Sequence, residues 1–222
     1  MVVSHRFVVL VALFVACLIT ANVVAVKLVS LGSHVVPAAI FVFPLSYIFG
    51  DVLTEVYGYG WARRVIWLGF LCNLLFVFFA WIGQILPPAP FWQDQRAYES
   101  ILGYAPRLLT ASLSGYLVGE FVNSYVLSRI RSLTRGRWLW MRTIASTVLG
   151  QGLDTGLFVT VAFLGTPAFA PIIILNHWVA KVGIEIVATP LTYAVVGWLK
   201  RREPIDSQDH ATTFNPFAIR AV

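Results

Sequence analysis

The chain alternates between long apolar runs and short polar segments, the pattern of a protein that crosses a membrane several times. Each run has about 20 residues, the length that an α-helix needs to span the hydrocarbon core. The runs predict six helices near residues 6–28, 35–57, 64–86, 107–129, 143–165 and 171–199. The first run continues from Phe7 to Val26, too long for the apolar core of a cleaved signal peptide, so it is predicted to remain as a span.

Ten of the 16 lysines and arginines follow the second, fourth and sixth predicted helices, whereas the opposite connections carry only Lys27, Arg96 and Arg107, and this distribution predicts the orientation. The ten are Arg63, Arg64, Arg129, Arg131, Arg135, Arg137, Arg142, Lys200, Arg201 and Arg202. Because basic loops stay on the cytoplasmic side, both termini are predicted to be cytoplasmic. The long connection between helices 3 and 4 then lies outside, as either a structured lid or an ordinary spacer. A six-helix domain is predicted for residues 1–203, followed by a disordered tail at 204–222.

Composition supports a membrane protein and argues against several other classes. Hydrophobic residues make up 59% of the chain and charged residues 12%, with a mean hydropathy of +0.79. The net charge of +6 arises in short loops and not on a basic face with interleaved aromatic residues, so nucleic acid is not a predicted partner. Cys17 and Cys72 lie inside apolar runs, which indicates neither a disulfide framework nor a zinc site.

Three of the predicted helices contain a similar polar segment. Each begins with glycine, continues with an acid or an amide, and has another polar residue three or four positions later: GDVLTE from Gly50, GEFVNS from Gly119 and GQGLDT from Gly150. Residues at this spacing share one helix face, and in hydrocarbon that face must turn toward the bundle interior or a water-filled cavity. The glycine leaves room beside the polar face for close packing or for a ligand.

The sixth predicted helix adds a lysine and an acid on one face, and the first adds an asparagine. Together with two aromatic residues, these groups form the predicted substrate site. Its members are Asn22, Asp51, Glu120, Asn123, Gln151, Asp154, Phe158, Trp178, Lys181 and Glu185.

Five acids lie within the predicted spans, against a single lysine, Lys181. Pairing alone cannot neutralise them, so some must be protonated, hydrated or matched by a ligand rich in hydrogen-bond donors. Alternatives stay open for individual residues. Asp51 and Glu55 can reach the membrane surface or pair with Arg63 or Arg64. Lys181 can form a purely structural ion pair with a mid-span acid, and the aromatic residues can serve only packing.

No motif of an intramembrane enzyme is present in the sequence. Asp51 and Asp154 lack the GxGD context of intramembrane aspartyl proteases, and SLSGY (Ser112 to Tyr116) lacks the leading glycine of a rhomboid-type GxSG elbow. There is also no HExxH motif. The sequence therefore predicts no catalytic residue, no metal and no cofactor. The convergent polar faces favour a small-solute transporter over a channel or a structural subunit.

Four motifs occur in order along the chain. They are FPLSYIFGDVLTEVYGYGWARRVIW (Phe43 to Trp67), GEFVNSYVLSRIR (Gly119 to Arg131), ASTVLGQGLDTGLFVTVAF (Ala145 to Phe163) and KVGIEIVATPLTY (Lys181 to Tyr193). Together they resemble the queuosine precursor transporter family, also described as a vitamin uptake transporter family. The resemblance covers most of the chain. The six-helix layout of that family is similar to the S components of energy-coupling-factor vitamin transporters.

The resemblance implies a multi-pass protein of the bacterial inner membrane that imports 7-cyano-7-deazaguanine (preQ0), or also 7-aminomethyl-7-deazaguanine (preQ1), for salvage into tRNA queuosine. A deazaguanine presents N1–H and its exocyclic amine side by side, and one carboxylate can accept both, while its O6 suits an amide or lysine donor. Either Glu120 or Asp154 then reads this edge. Gln151 and Asn123 supply amides, and Lys181 is an O6 donor or a counter-ion.

The alternative is an S-component-like vitamin-binding subunit or a transporter of another purine-like solute. Two pairs of small residues on helix 1, Ala12 with Ala16 and Ala21 with Ala25, would contact a partner in such a subunit or serve ordinary helix packing. The sequence leaves open the choice between preQ0 and preQ1, the energy coupling, homo-oligomerisation and an energising ATPase partner.

Overall fold

The computed structural model describes residues 4–31, 34–103, 106–135, 137–165, 169 and 171–202. These residues are mainly α-helical, as predicted, with a short β-hairpin in addition. The helices are α1 (His5–Val24), α2 (Phe43–Tyr57), α3 (Tyr59–Ile85), α4 (Gln95–Leu102), α5 (Pro106–Leu133), α6 (Leu139–Phe163) and α7 (Pro171–Arg202). The predicted tail at 204–222 lies outside the described residues.

The hairpin lies where the second predicted helix was expected to start. Strands β1 (Leu28–Leu31) and β2 (His34–Pro37) pair antiparallel, and a 3-10 helix (Ala38–Phe41) leads into α2. The prediction of a helix from residue 35 is therefore wrong. The physical reason lies at Pro37, which has no N–H to donate and disfavours helical backbone in the residue before it.

Within the described residues, five segments are long and apolar enough to cross a membrane, which supports a multi-pass membrane protein. They are His5–Val24, Ala38–Tyr57, Tyr59–Ile85, Leu139–Ala162 and Ile174–Arg202. Helix α5 has 28 residues and is also long enough, but the polar residues along it make it less apolar than these five. The count of six spans and the cytoplasmic position of both termini therefore stay predictions.

The start of α1 and the end of α7 lie at the same end of the bundle, which we call the terminal face. Arg6 Nη1 donates to the carbonyl oxygen of Arg202 at 3.1 Å, and the rings of Phe7 and Tyr57 lie 4.9 Å apart. The turn between α2 and α3 therefore also lies at this face. It consists of Gly58, whose φ of 87° is readily adopted only by glycine.

Most of the basic residues expected in connections lie within helices instead. Arg63 and Arg64 fall in the first two turns of α3, because α3 begins at Tyr59. Arg135 and Arg137 lie between α5 and α6. The helices therefore extend further than the apolar runs indicate. A membrane helix tolerates basic residues near its end because their long side chains can lie along it while the charged groups reach the surface.

The connection between α3 and α5 contains the short helix α4, which packs on the end of α3. Tyr98 Oη donates to the carbonyl oxygen of Ala80 at 3.0 Å, and Gln95 Nε2 donates to that of Gln84 at 3.1 Å. The segment is therefore structured, as one of the two alternatives predicts. Its role as a lid stays a prediction.

Helices α5 and α6 pack along a line of glycines. A Cβ added at Gly150 would lie 2.8 Å from both the Asn123 Cβ and the Gly119 carbonyl oxygen. A Cβ added at Gly119 would lie 2.6 Å from the Asp154 Cβ. The two backbones therefore touch directly, and any larger side chain at these positions would push them apart. The GxxxG spacing of Gly115 and Gly119 is the sequence signal of this contact.

Glu55 is fully buried near the terminal face, where basic side chains from three other helices surround it. Its Oε1 lies 2.6 Å from Arg142 Nη2, 2.6 Å from Lys200 Nζ and 3.7 Å from Arg131 Nε. The contacts join α2 to α5, α6 and α7. Because a buried carboxylate needs compensation, this cluster holds the ends of four helices together.

The cluster corrects two expectations from the sequence. Glu55 does not pair with Arg63 or Arg64, because α5, α6 and α7 bring their own basic residues to it. Lys181 is also not the only cation inside the helices, since Arg142 is 2% exposed. Because these basic residues compensate Glu55, four of the five acids remain to be matched against Lys181.

We expect Gly150→Ala to destabilise the protein by about 1–3 kcal/mol, because the added methyl group would press on Cβ and backbone atoms of α5. The matched control is Gly156→Ala on the same helix, where an added Cβ meets no atom within 4 Å. Thermal denaturation of the purified variants in detergent compares the two. Equal melting temperatures would contradict the direct backbone contact.

We expect Glu55→Gln to destabilise the protein by about 3–5 kcal/mol, because three cations would then face a neutral amide. The control, Glu99→Gln, removes an exposed acid on α4 that accepts from Gln95 Nε2 at 2.9 Å. That control is expected to change stability by less than about 0.5 kcal/mol. If both variants melt alike, the ion pairs of Glu55 do not hold the helix ends together.

Candidate functional site

Four buried acids from four different helices lie inside the bundle, each within electrostatic range of at least one other, and we call them the four-acid cluster. They are Asp51 on α2, Glu120 on α5, Asp154 on α6 and Glu185 on α7. Asp51 lies within electrostatic range of Glu120 and Glu185, and Glu120 within range of Asp154 and Glu185. The structure thus brings together four of the residues predicted from the polar helix faces.

Asp154 is the one member of the cluster with a cation among the described residues. Its Oδ2 accepts from Lys181 Nζ at 2.8 Å. The same ammonium group lies 5.0 Å from the centre of the Phe43 ring. Lys181 therefore joins α7 to α6 and α2, and it occupies the counter-ion role that was one of its two predicted alternatives.

Asp51 is only partly satisfied. Asn123 Nδ2 donates to its Oδ1 at 2.7 Å, which links α5 to α2. Its Oδ2 and the amide oxygen of Asn123 have no hydrogen-bond partner in the described part of the chain. These two oxygens of the Asp51–Asn123 pair are therefore able to accept further hydrogen bonds.

Glu120 lies against the backbone of α2 at Gly50, where an added Cβ would collide with its carboxylate. The glycine that begins GDVLTE therefore makes room for an acid from α5. Glu120 is 1% exposed, and its Oε1 has no partner among the residues that the structure describes.

Glu185 and Gln151 are also buried with unsatisfied oxygens. Both carboxylate oxygens of Glu185 and the amide oxygen of Gln151 lack a hydrogen-bond partner within the described ranges.

No group of three or more His, Cys, Asp and Glu side chains in these ranges could hold a metal ion.

Among the described residues, acceptor oxygens without a donor therefore outnumber the unpaired hydroxyl donors of α6, Thr147 and Thr155. The unsatisfied oxygens of its acids and amides are Asp51 Oδ2, Glu120 Oε1, Asn123 Oδ1, Gln151 Oε1 and Glu185 Oε1 and Oε2. Carboxylate and amide oxygens accept hydrogen bonds, and leaving them buried without a donor costs free energy. A ligand with several N–H groups would satisfy them, whereas a ligand that carries mainly acceptors would not.

The helices are closed around these atoms. The space bounded by Phe14, Gly50, Glu120 and Ser124 is too small for a water molecule. The predicted midplane cavity is therefore not open there in this conformation. A solute the size of a bicyclic base can reach Glu120 only if the helices separate.

Asn22 belongs to a second group of polar residues. Its Nδ2 donates to Asn73 Oδ1 at 2.6 Å, and its Oδ1 accepts from Ser112 Oγ at 3.2 Å. This group joins α1, α3 and α5. The structure therefore gives Asn22 a bridging role between these helices, and its contact with the solute stays a prediction.

The two predicted aromatic residues differ in their surroundings. Trp178 Nε1 donates to the carbonyl oxygen of Val148 at 2.9 Å, and the indole lies over Gly152. These contacts join α7 to α6 and match the packing alternative. Phe158 is half-buried, one turn beyond Asp154 on α6. Whether either ring stacks on a ligand stays a prediction.

Sequence reasoning missed Tyr47, which is buried on α2 within electrostatic range of Glu120, Asp154 and Glu185. Its hydroxyl lies 3.2 Å from the position that a Cβ at Gly119 would take. Tyr47 precedes Asp51 by four residues and so shares its helix face. The spacing that identified the acids could therefore have identified this hydroxyl.

Comparisons with known proteins agree with the resemblance seen in the four motifs. A family model described as "Putative vitamin uptake transporter" matches residues 37–195. That range includes every predicted site residue except Asn22. No solved structure matches the chain.

Two curated relatives carry related names. The "Probable queuosine precursor transporter" of Bacillus subtilis (strain 168) is 34% identical over 180 residues, which is 79% of this chain and 78% of the relative. The "Queuosine precursor transporter" of Escherichia coli (strain K12) is 30% identical over 149 residues, which is 67% of this chain and 62% of the relative. Both names describe transporters, which confirms the prediction that the chain is not an enzyme.

Proposed function

The chain belongs to the vitamin uptake transporter family, and from that premise we propose that it imports a queuosine precursor across the bacterial inner membrane. The proposed solute is preQ0, with preQ1 also accepted, and the imported base is salvaged into tRNA queuosine. The names of the two relatives support a precursor of queuosine as the solute class.

The single observation that carries this proposal beyond the family is the deficit of donors around the four-acid cluster. A 7-deazaguanine has N–H donors at N1, at the exocyclic amine and on the pyrrole ring. Such a ligand can supply donors to several of the unsatisfied oxygens at once. A bound deazaguanine would thus compensate acids that no cation compensates in the described residues.

Among the acids, Glu120 is the one we assign to the N1–H and exocyclic amine edge. Asp154 already accepts from Lys181, whereas Glu120 Oε1 is free to accept from a ligand. Two neighbouring donors on one carboxylate form a bidentate, charge-assisted pair. Asp154 then positions Lys181, whose ammonium group can also donate to O6.

The amides of Asn123 and Gln151 complete the proposed contacts with the base. Adenine lacks the N1–H and has an amine in place of O6, so it would leave these buried groups unpaired. Sites that depend on buried hydrogen bonds reject such analogues strongly. Excess adenine is therefore not expected to compete with preQ0.

A second candidate function is an S-component-like subunit that binds its solute for an energising ATPase partner. Ala12 and Ala16 are exposed on α1 and form a small-residue surface that would suit a partner helix. Uptake by the purified protein in liposomes, without an ATPase, would rule out this candidate.

We expect Glu120→Gln and Asp154→Asn to lower uptake of labelled preQ0 by about a hundredfold, because each removes a charged acceptor. Uptake is measured in cells that cannot make deazaguanines, with queuosine in tRNA as a second readout. The exposed Glu99→Gln variant serves as the control and is expected to match the wild type.

Size-exclusion chromatography in detergent establishes that each variant is folded. Wild-type uptake by both Glu120→Gln and Asp154→Asn, at equal protein levels, would contradict the assigned site.

A further inference from the structure

Three threonines of α6 are buried, and two of them leave their hydroxyl groups unpaired within the described residues. Thr143 Oγ1 donates to the carbonyl oxygen of Leu139 at 2.7 Å, a common bond for a threonine inside a helix. The hydroxyls of Thr147 and Thr155 have no hydrogen-bond partner in the part of the chain that the structure describes. A buried hydroxyl without a partner costs free energy, so a ligand that pairs with these groups gains affinity.

The two unpaired threonines share one face of α6 with Gln151, because the three residues are spaced by four. Gly150 lies against α5, and Gly152 lies against an indole ring of α7. Successive residues are about 100° apart around a helix, so Gln151 points between those two helices. The opposite side of α6 carries Leu149 and Leu153, which are 52% and 45% exposed. The interior face, which we call the α6 stripe, therefore consists of Thr147, Gln151 and Thr155.

Glu120 lies level with the middle of the α6 stripe. A Cβ added at Gly119 would lie 2.9 Å from the carbonyl oxygen of Gly150 and 2.6 Å from the Cβ of Asp154. Glu120 is the next residue of α5, so it lies at the height of Gln151 along the bundle. The two threonines of the stripe lie one turn to either side of that height. A base that binds Glu120 would thus have one unpaired hydroxyl on each side.

The acceptor groups of preQ0 lie on the two sides of the edge that Glu120 is proposed to bind. O6 and the nitrile nitrogen are on one side of N1 and the exocyclic amine, and N3 is on the other side. An ionised carboxylate only accepts hydrogen bonds, so these groups need donors from elsewhere. Lys181 is proposed to donate to O6, which leaves the nitrile and N3 without a donor.

We propose that Thr147 and Thr155 are specificity-determining residues, whose hydroxyls donate to N3 and to the nitrile. This inference rests on the proposed function, because it starts from a deazaguanine bound by Glu120. Thr155 follows Asp154, the partner of Lys181, and therefore lies on the O6 side, where it donates to the nitrile. Thr147 lies two turns away, nearer the terminal face, and donates to N3.

The spacing and the chemistry of the two hydroxyls both suit this solute. Eight residues of helix are about 12 Å long. A bicyclic base with a hydrogen bond of about 2.8 Å at each side fills a span of that length. A nitrile accepts a hydrogen bond and has none to donate, so it pairs with a hydroxyl and not with a carboxylate.

The first test needs no variant. 7-Deazaguanine has the same hydrogen-bonding edge as preQ0 but lacks the nitrile. Competition against labelled preQ0, with the whole chain purified in detergent, gives the dissociation constants of both solutes. We expect the wild type to bind preQ0 about tenfold more tightly, because without the nitrile the Thr155 hydroxyl stays buried and unpaired. Equal affinities would overturn the assignment of Thr155.

Thr155→Val removes the hydroxyl and keeps the shape of the side chain. We expect it to weaken preQ0 binding about tenfold and 7-deazaguanine binding less than about twofold, so that the two solutes bind alike. Thr155→Ser keeps a hydroxyl and should retain the preference for preQ0. The matched control is Thr143→Val, which removes a buried hydroxyl that already donates within α6. Its preference should equal that of the wild type.

Thr147 is tested with an analogue of preQ0 that has C–H in place of N3. We expect Thr147→Val to weaken preQ0 binding about tenfold and to leave the affinity for this analogue within about twofold of the wild type. A general loss of structure would weaken both solutes alike. Equal losses would therefore overturn the assignment of Thr147.

The outcomes separate the two proposals. A Thr155→Val variant that keeps the preference for preQ0, or that loses affinity equally for both solutes, would overturn the nitrile contact. Binding of preQ0 by the wild type would leave the proposed function intact in both cases. If the wild type binds neither preQ0 nor 7-deazaguanine, the proposed function itself is overturned.

Discussion

A carboxylate that leaves water for a protein interior loses several kcal/mol of hydration free energy unless cations or hydrogen-bond donors replace the water. This constraint distinguishes the buried acids from one another. Glu55 is surrounded by Arg142, Lys200 and Arg131, and Asp154 accepts from Lys181. Asp51, Glu120 and Glu185 have no such cation in the described residues. The buried acid near the terminal face is therefore compensated by cations, whereas three acids of the interior are not, and there we propose that the solute binds.

Close backbone packing makes this interior arrangement possible. The glycines of α5 and α6 allow the two helices to touch, so that Asp154 and Asn123 lie at their contact. Gly50 likewise admits the carboxylate of Glu120 beside α2. The same helices carry the acids and the glycines. Separating these helices to admit a base would therefore break their close packing and also expose the acids. The free energy of this opening must come from solute binding.

The polar helix faces were predictable because they depend only on local spacing. Residues three or four apart share a face whatever the tertiary structure, and this rule identified Asp51, Glu120 and Asp154. The partners of these acids were not predictable in the same way. Arg142 and Lys200 reach Glu55 from α6 and α7, and sequence separation gives no sign of such contacts.

Other differences have equally specific causes. The hairpin before α2 is apolar, so hydropathy alone does not distinguish it from the first turns of a membrane helix. Pro37 marks the boundary between the hairpin and the helical segment that follows. The polarity of Asn22 within a span groups it with the acids, and the structure shows that it also bonds to Asn73 and Ser112. Polarity within a membrane helix thus identifies residues that face the interior, but not which interior group they join.

The central claim is that the solute binds directly at the uncompensated buried acids. Infrared difference spectroscopy tests it on the purified wild-type protein, with Glu120→Gln as the reference, since carboxyl bands present in the wild type and absent from this variant are those of Glu120. We expect addition of preQ0, but not of adenine, to shift the carboxyl bands. Retention of labelled preQ0 by the protein with no change in those bands would contradict the account.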